Sequence, residues 1–279
     1  MSVQTKAAVR AASSLLVFTQ SSASIPKLLL LKRAPTARFM PNTWVFPGGV
    51  LEGGDEAFPL SMSALNLSQA LSDWSQWGFD HREAALASLG AALREASEEA
   101  GLIWGELSAD IDEIKCVDRW LTPEQLKIRF DTYFWAVSLR SEPEINVDQA
   151  EIVDSQWWRL DELCQAYEQG ALELPAPTFC LITELASLFR EDDPRPSTAT
   201  SIIRAFNQSP HAQAICPVLK RGQELRLHLP GDPIYAELRG ETPELTQRVF
   251  WSSAPHYLEQ VITEAGPRWR RIAKPEAST

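Results

Sequence analysis

The segment "DHREAALASLGAALREASEEAG", residues 80–101, limits the possible folds of this chain more than any other stretch. Asp80 and Glu83 have the spacing of a capping box, and Gly101 stands where a helix commonly ends on a glycine. Between these ends the apolar residues recur at helical spacing and share one face: Leu86, Leu89, Leu93, Ala96 and Ala100. The sequence therefore predicts a long helix that packs this face on a neighbouring layer.

The same helix gathers three carboxylates on its other side. Glu95, Glu98 and Glu99 stand at i, i+3 and i+4, and their mean direction is about 150° from that of the apolar face, at about 100° per residue. Like charges at this spacing repel by roughly a few tenths of a kcal/mol per pair. A solvent-exposed face is one interpretation. The others are compensation by Arg94, which reaches Glu98 at i+4, and a bound Mg²⁺ or Mn²⁺, since both ions select carboxylate oxygens.

A glycine turn upstream favours the metal. The stretch "WVFPGGVLEGGD", residues 44–55, reads as a short strand that ends at Pro47-Gly48-Gly49. Glycines let a backbone approach a ligand closely, so a carbonyl can be aimed at the same ion. An ordinary turn after a strand is the alternative, and the turn and the acidic helix together are more specific than either alone.

These residues carry a resemblance to the Nudix hydrolase family, whose motif is G-x5-E-x7-R-E-U-x-E-E-x-G-U with U aliphatic. Gly49, Asp55 and the run "REASEEAGL", residues 94–102, match it in order. The chain departs from the motif in two ways: Asp55 replaces the first Glu, and residues 56–93 stand where the motif has seven residues. A split motif of this kind is similar to a coenzyme A diphosphatase subgroup, as are "LLLLKRAPTARFMPNTWVFPGG", "RWLTPEQLKIRFDTYFWAV" and "ELPAPTFCLITEL".

The resemblance implies an α/β (α+β) Nudix fold, a mixed β-sheet sandwiched between helices, with an insertion and a C-terminal extension. It also implies hydrolysis that depends on Mg²⁺ or Mn²⁺. By position, Glu95, Glu98, Glu99 and the carbonyl of Gly49 match the metal ligands, and Arg94 matches the arginine that orients the glutamates. Asp55 matches a supporting position.

The resemblance leaves the general base and the substrate contacts open. Glu98 and Glu151 are the two candidates for the group that takes a proton from the attacking water. Lys32, Arg33 and Arg38 are candidates for contacts with substrate phosphates, with a solvated loop as the alternative. Three aromatic residues are candidates for stacking on adenine or for the core: Trp120, Phe130 and Phe134.

The remaining sequence predicts the order of the elements. Strands are expected at residues 7–19, 27–32, 112–120, 129–139 and 155–160, and helices at about 161–169 and 178–190. Residues 56–80 form the insertion, with one short helix around residues 61–75. The acidic, proline-containing stretch 191–198 suggests a boundary between a Nudix domain, residues 1–196, and a C-terminal extension, residues 197–279, that packs on it through a short helix and a hairpin.

Composition excludes several classes of partner. The net charge of −11 argues against a nucleic acid, since no broad basic surface is available. The four cysteines lie far apart, which makes a zinc site of the usual spacing or a disulfide framework improbable. No stretch is typical of a membrane span or a signal peptide, so a cytoplasmic protein is expected, with a homodimer left open.

We therefore expect a Nudix pyrophosphohydrolase that cleaves coenzyme A or its thioesters to 3′,5′-ADP and (acyl-)phosphopantetheine. Hydrolysis of ADP-ribose or of a nucleotide sugar is the alternative within the same class, because the motif recognises only the diphosphate. A Nudix-fold sensor that binds a nucleotide without turnover is the alternative from another class.

Overall fold

The structure is a computed structural model that describes residues 8–19, 26–62, 65–188, 198–207, 214–222, 225–230, 232, 234–239, 256–263 and 266–273. Its first seven strands are β1 (Val9–Thr19), β2 (Lys27–Arg33), β3 (Trp44–Val45), β4 (Gly48–Val50), β5 (Ile111–Leu121), β6 (Arg129–Leu139) and β7 (Ile152–Arg159). Its helices are α1 (Ala57–Leu60), α2 (Leu67–Ala70), α3 (Arg82–Ala100), α4 (Trp104–Leu107), α5 (Leu160–Gln169), α6 (Ala176–Leu188), α7 (Ala199–Asn207) and α8 (Tyr235–Arg239). Most of the strands and helices expected from the sequence are present, with bounds that differ by a few residues.

The seven strands form one mixed sheet of order β3-β2-β1-β6-β5, with β4 paired to β1 and β7 paired to β2. β1 and β6 run parallel over eleven registered pairs, from Val9 with Arg129 to Thr19 with Leu139, while β4 and β7 pair antiparallel with their neighbours. The glycine turn expected at residues 47–49 is instead part of β4, because Gly48 and Gly49 pair with Ser14 and Ser13.

Helices cover both faces of this sheet, because side chains alternate along each strand. Leu15 and Val17 of β1 face the layer that contains α3, whereas Leu16 and Phe18 face the layer that contains α5 and α6. The expected mixed sheet between helices is confirmed. The predicted apolar face of α3 is also confirmed, since Leu86, Leu89, Leu93, Ala96 and Ala100 are all buried.

The ends of α3 show one correct and one incorrect prediction. Gly101 ends the helix with a φ of 69°, in the left-handed region that glycine adopts without strain. The capping box at Asp80 is wrong, because the N-cap is His81, whose Nδ1 accepts a hydrogen bond from the Ala84 N–H at 3.1 Å. The capping side chain and the N–H that it binds are still three residues apart, so the helix starts with the expected kind of cap, one residue later than predicted.

A buried polar chain fixes α3 along the sheet. The Ser88 hydroxyl of α3 lies 2.9 Å from the Ser13 hydroxyl of β1 and accepts a hydrogen bond from Trp135 Nε1 of β6 at 3.0 Å. Glu95 and Glu99 follow Ser88 by seven and eleven residues, so all three lie on one side of the helix at about 100° per residue. The contact between Ser88 and Ser13 therefore fixes where Glu95 and Glu99 lie relative to β4.

The insertion at residues 56–80 is more broken than the single helix expected around residues 61–75. It contains α1, α2 and a 3₁₀ turn at Trp74–Trp77, whose Trp77 is buried under α3. Its end is fixed by Phe79, which stacks on Tyr133 of β6 with ring centroids 3.9 Å apart. The insertion thus packs on the sheet and on α3.

Residues beyond α7 form a second, antiparallel sheet of order β11-β10-β9-β8, from β8 (Val218–Arg221), β9 (Leu225–His228), β10 (His256–Thr263) and β11 (Gly266–Ala273). The expected hairpin corresponds to β8 and β9. Tyr167 of α5 donates a hydrogen bond from its hydroxyl to the Trp269 carbonyl at 2.9 Å. The boundary proposed at residues 191–198 lies outside the described residues except for Thr198, and the division into 1–196 and 197–279 stays a prediction.

Gly90 provides a test of how closely the insertion approaches α3. A Cβ at Gly90 would lie 1.8 Å from the Asp55 carbonyl oxygen, which is backbone and has little freedom to move. Gly90→Ala should therefore lower the free energy of unfolding by about 1–2 kcal/mol, although alanine favours a helix by about 1 kcal/mol. The measurement is the urea concentration at the midpoint of unfolding, compared with that of the unmodified protein. Gly105→Ala is the matched control, because its Cβ meets no atom within 4 Å. Equal midpoints for the two variants would contradict the close approach.

Candidate active site

Arg94 is the centre of the candidate site. Its Nε donates to Asp55 Oδ1 at 2.7 Å, and its Nη1 donates to Glu95 Oε1 at 2.9 Å and to Glu98 Oε2 at 3.1 Å. Its Nη2 donates to the Val50 carbonyl at 3.1 Å. The aspartate raises the pKa of Arg94, so the guanidinium stays charged at any pH that the fold survives. One arginine therefore joins α3, the end of β4 and the start of the insertion.

Asp55 is the buried partner of Arg94. Its side chain is 3% exposed, its Oδ2 accepts the Glu52 N–H at 2.7 Å, and its backbone lies against Gly90. The space around Asp55 is therefore filled by backbone on one side and by Arg94 on the other. The shorter acid fits this position, which gives a physical reason for the departure from the motif's glutamate.

Glu99 is the most enclosed carboxylate of the group. It is 6% exposed, and its Oε2 accepts the Gly48 N–H at 2.9 Å. Burial raises the pKa of Glu99 to about 8, with the charges of Glu95 and Glu151 adding to the effect and the Gly48 hydrogen bond and Arg33 opposing it. A positive partner such as a cation would stabilise the charged form of this buried acid.

Glu95 lies against the backbone of Gly49. A Cβ added to Gly49 would be 2.2 Å from Glu95 Oε1, so only glycine leaves room for the carboxylate. Burial also raises the pKa of Glu95, while its ion pair with Arg94 lowers it. Gly49, Glu95 and Glu99 thus form the contact between β4 and α3, and Glu98 is the exposed member, with 58% of its side chain accessible.

The structure brings Glu151 and Arg33 to the same cluster. Glu151 raises the pKa of both Glu95 and Glu99 through its charge, and Arg33 lowers that of Glu99. The pairing of β2 with β7 explains this, since the Glu151 carbonyl accepts the Ala34 N–H at 2.8 Å. Glu151 is far in sequence from the acidic helix, yet it faces the same space and stays a candidate base beside Glu98.

The other predicted substrate contacts differ in their surroundings. Lys32 is half-buried, with its Nζ 5.9 Å from the centre of the Trp44 ring, and Arg38 is exposed. Trp120 and Phe134 were candidates for adenine stacking or for the core, and the structure places both in the core at 4% and 6% exposure. Trp120 donates to Asp118 Oδ2 at 2.8 Å and Phe134 packs on Phe46, so neither ring presents an open face.

Phe39 is a candidate contact that the sequence did not reveal. It is 40% exposed, its ring packs edge-on against Phe130 at 5.7 Å, and its carbonyl accepts a hydrogen bond from Arg33 Nε at 3.0 Å. Met40 and Asn42, just after it, have positive φ angles of 49° and 62°, a conformation that is uncommon for methionine and that asparagine adopts more readily. The asparagine between proline and threonine was the available sequence signal for such a turn.

The cluster has the composition of a site for a hard cation. Within the described residues, no three His, Cys, Asp or Glu side chains converge as a complete ligand set. The hydrogen bonds above explain this, since they engage Glu95 Oε1, Glu98 Oε2 and Glu99 Oε2. The donors are nonetheless oxygens of three adjacent carboxylates against a glycine backbone, and burial disfavours the charge of two of them. That combination suits Mg²⁺ or Mn²⁺ better than a softer ion.

Comparison with known proteins agrees with this geometry. Residues 81–176 match the model of the NUDIX domain. The matched range is less than half of the chain. The matched range includes α3 and its carboxylates and also Glu151, whereas Gly49 and Asp55 precede it, so their place in the site rests on the contacts described above. The match supports the expected hydrolase acting on diphosphate bonds.

Curated relatives extend the likeness beyond that domain. Putative nudix hydrolase 7 of Caenorhabditis elegans is 30% identical over 168 residues, which is 58% of this chain and 56% of the relative, so the match spans just over half of that protein. Acyl-coenzyme A diphosphatase NUDT19 of Xenopus laevis is 24% identical over 324 residues, covering 91% of this chain and 82% of the relative. The human protein of the same name is 24% identical and covers 76% and 72%.

A solved structure confirms the fold. The crystal structure of a NUDIX hydrolase from Alicyclobacillus acidocaldarius superposes with a TM-score of 0.50 at 22% identity, covering 65% of this chain and 92% of that one. The described helices of the present chain include none with the length and apolar character that crossing a membrane requires.

Glu99 gives a prediction about pH. Because its folded-state pKa is raised from the ordinary 4.5 to about 8, the folded protein holds an extra proton between those values. The contribution of Glu99 to stability is therefore fully present below about pH 4.5 and is lost as the pH rises through about 8. In chelator, the Tm of Glu99→Gln minus that of the unmodified protein should grow from about pH 5 to about pH 9, since glutamine carries no charge to bury.

Glu98→Gln is the matched control for this titration. It removes one carboxylate from the same helix, but at an exposed position. The difference between its Tm and that of the unmodified protein, which includes the lost contact with Arg94, should stay constant across the range. A pH-independent difference for Glu99→Gln would contradict the assignment of a buried, protonated Glu99.

Proposed function

We propose that this chain is a metal-dependent Nudix diphosphatase that cleaves coenzyme A or acyl-coenzyme A to 3′,5′-ADP and (acyl-)phosphopantetheine. The observation that carries the proposal is the buried Glu99 beside Glu95, both held over Gly48 and Gly49 by α3. Arg94 binds Glu95, Glu98 and the preceding loop, while Gly48 binds Glu99. Enclosing carboxylates in this way costs free energy, and a bound cation would offset that cost.

The residues that would hold the cation are Glu95, Glu98, Glu99 and the carbonyl of Gly49. A divalent cation bound there neutralises charge on the diphosphate and makes a bound water more acidic. The chain supplies the other requirements. Arg94 orients Glu95 and Glu98 through separate hydrogen bonds, and Gly48 orients Glu99. Their side chains are therefore placed before a substrate arrives.

Two carboxylates are available to take the proton of the attacking water. Glu98 is exposed and on the same helix, while Glu151 reaches the cluster from the start of β7. Glu151 has the advantage that Arg94 does not bind it in the described contacts, so its oxygens need not be released first. We assign it as the leading candidate for the general base.

The substrate is inferred from the relatives and from the charges near the cluster. Two relatives that cover most of this chain are named acyl-coenzyme A diphosphatases. Arg33 lies next to Glu99, Arg38 is exposed in the following loop, and Lys32 precedes them. A basic loop beside an acidic metal cluster suits an anionic nucleotide with an additional phosphate. Hydrolysis of ADP-ribose or of a nucleotide sugar remains the second candidate.

The test is a substrate panel resolved by chromatography. Coenzyme A, acetyl-coenzyme A, ADP-ribose and a nucleotide sugar are each incubated with Mg²⁺ or Mn²⁺ and with chelator. Coenzyme A should yield 3′,5′-ADP and phosphopantetheine only when the cation is present. Cleavage of ADP-ribose alone would reject coenzyme A as the substrate but leave the assignment of the active site intact. Binding of a nucleotide without turnover of any compound would favour a nucleotide sensor.

Glu99→Gln tests the site within the same panel. It should lower kcat by about 100-fold or more, because a carboxylate that holds the cation is lost while shape and hydrogen-bonding capacity are kept. Glu106→Gln is the matched control, since Glu106 is an exposed acid on α4 outside the cluster. Unchanged turnover of Glu99→Gln at saturating Mg²⁺ would refute the assignment.

A further inference from the structure

A pocket lies between the insertion and the end of α3, and the chemistry described above does not use it. Its volume is 420 Å³. The insertion contributes Phe58, Ser61 and Met62 to the wall, and the opposite side includes Ser97, Leu102 and Trp104. A cavity of this size holds a small molecule or one arm of a larger one.

The pocket and the acidic cluster lie on different faces of the same helix, α3. Ser97 and Gly101 line it, and at about 100° per residue they are turned from Glu98 by about 100° and about 60° around α3. Around the helix, Glu98 therefore stands between the pocket residues and the other two glutamates, and it is the exposed one of the three. A chain attached to a diphosphate over Glu95 and Glu99 would enter the pocket by passing Glu98.

The lining is suited to an uncharged, weakly polar chain. Among the described residues that line the pocket, none carries a charge. Its two serine hydroxyls donate to backbone carbonyls, Ser61 to Phe58 at 2.7 Å and Ser97 to Leu93 at 3.2 Å, so both oxygens are left as acceptors. A sugar would bury several hydroxyls with few partners there, which costs free energy for each unmatched group. An arm with methyl groups and amide N–H donors meets complementary groups.

Two exposed aliphatic residues belong to the segments that line the pocket, Leu60 next to Ser61 in the chain and Ile103 in the lining itself. Leu60 of the insertion is 61% exposed, and Ile103, itself part of the lining, is 59% exposed. Both are large aliphatic side chains that face water beside an apolar wall. They extend the lining outward, where a longer apolar substituent on the arm would lie.

We infer that this pocket binds the pantetheine arm of the substrate, so that the insertion which splits the Nudix motif selects the non-nucleotide half. The inference rests on the proposed function for the identity of that arm. It assigns a role to residues 56–62 that the metal cluster itself does not require. The opposite half, the adenosine with its phosphates, is then directed to the other side of α3, toward Arg33 and Phe39.

Gly105 allows the pocket to be filled without disturbing the fold. It lines the pocket, and a Cβ at this position would meet no atom within 4 Å. Gly105→Phe therefore places a ring in the space the arm would occupy. Gly53→Phe is the matched control, because Gly53 is equally open and does not line the pocket. The Tm of both variants verifies that they fold, and Gly105→Ala provides a smaller step at the same position.

The readout is the calorimetric affinity for each product half, measured separately from turnover. For Gly105→Phe, the Kd of phosphopantetheine and the KM of coenzyme A should each rise about tenfold or more, while the Kd of 3′,5′-ADP changes less than about twofold. Gly53→Phe should leave all three unchanged. An unchanged Kd for phosphopantetheine, or an equal loss for both halves, would overturn the inference.

The same experiment separates the two proposals. Failure of the unmodified protein to cleave coenzyme A with Mg²⁺ or Mn²⁺ would count against the proposed function, whatever the variants do. The affinity of phosphopantetheine in the unmodified protein and in Gly105→Phe still decides the role of the pocket in that case. If the unmodified protein cleaves coenzyme A and Gly105→Phe has no effect, the role of the pocket is rejected and the proposed diphosphatase activity stands.

Discussion

The ion pairs of Arg94 are the interaction on which the rest of the site depends. The guanidinium is only 16% exposed and binds Asp55, Glu95 and Glu98 as well as the Val50 carbonyl. Charged groups in such a position are costly to bury unless each is paired, so removing one partner leaves the others uncompensated. The 38 residues between Asp55 and Arg94, residues 56–93, are tolerated because this contact closes the loop in space and keeps the two halves of the motif together.

Close backbone contacts supply the second constraint, because three glycines let the layers approach. Gly48 leaves room for the backbone of Ser14, Gly49 for the Glu95 carboxylate and Gly90 for the Asp55 carbonyl. Each contact joins a different pair of elements: β4 with β1 at Gly48, β4 with α3 at Gly49, and α3 with the Asp55 backbone at Gly90. A side chain at Gly49 would separate β4 from α3, and Glu99 would lose the Gly48 N–H. Packing density and electrostatics therefore specify the same arrangement.

The sequence predicted those parts of the fold whose signals are local. The alternation in β1 and β2 and the helical spacing in α3 specify both faces of the sheet, and Gly101 marks the end of the helix. Signals that depend on distant partners were misread or left open. Gly48 and Gly49 pair as a strand only because β1 lies beside them, and Trp120 and Phe134 are core residues because the layer of α5 and α6 covers their face. Glu95, Glu99 and Arg94 could be proposed together from the sequence because one helix carries all three, whereas the position of Phe39 beside Arg33 depends on how the loop after β2 folds.

The arrangement around α3 gives a direction to any substrate that bridges the cluster. Positive charge lies on the side of Glu99, where Arg33 offsets part of the repulsion among the glutamates. The uncharged pocket lies on the side of Glu98. A diphosphate joining a charged group to an uncharged one has a lower energy in one orientation than in the reverse, because reversal would leave phosphates beside an apolar wall and methyl groups beside Arg33. Under the proposed function, the helix that carries the candidate residues for cleavage would also distinguish the two ends of the substrate, so selection and catalysis would both depend on α3.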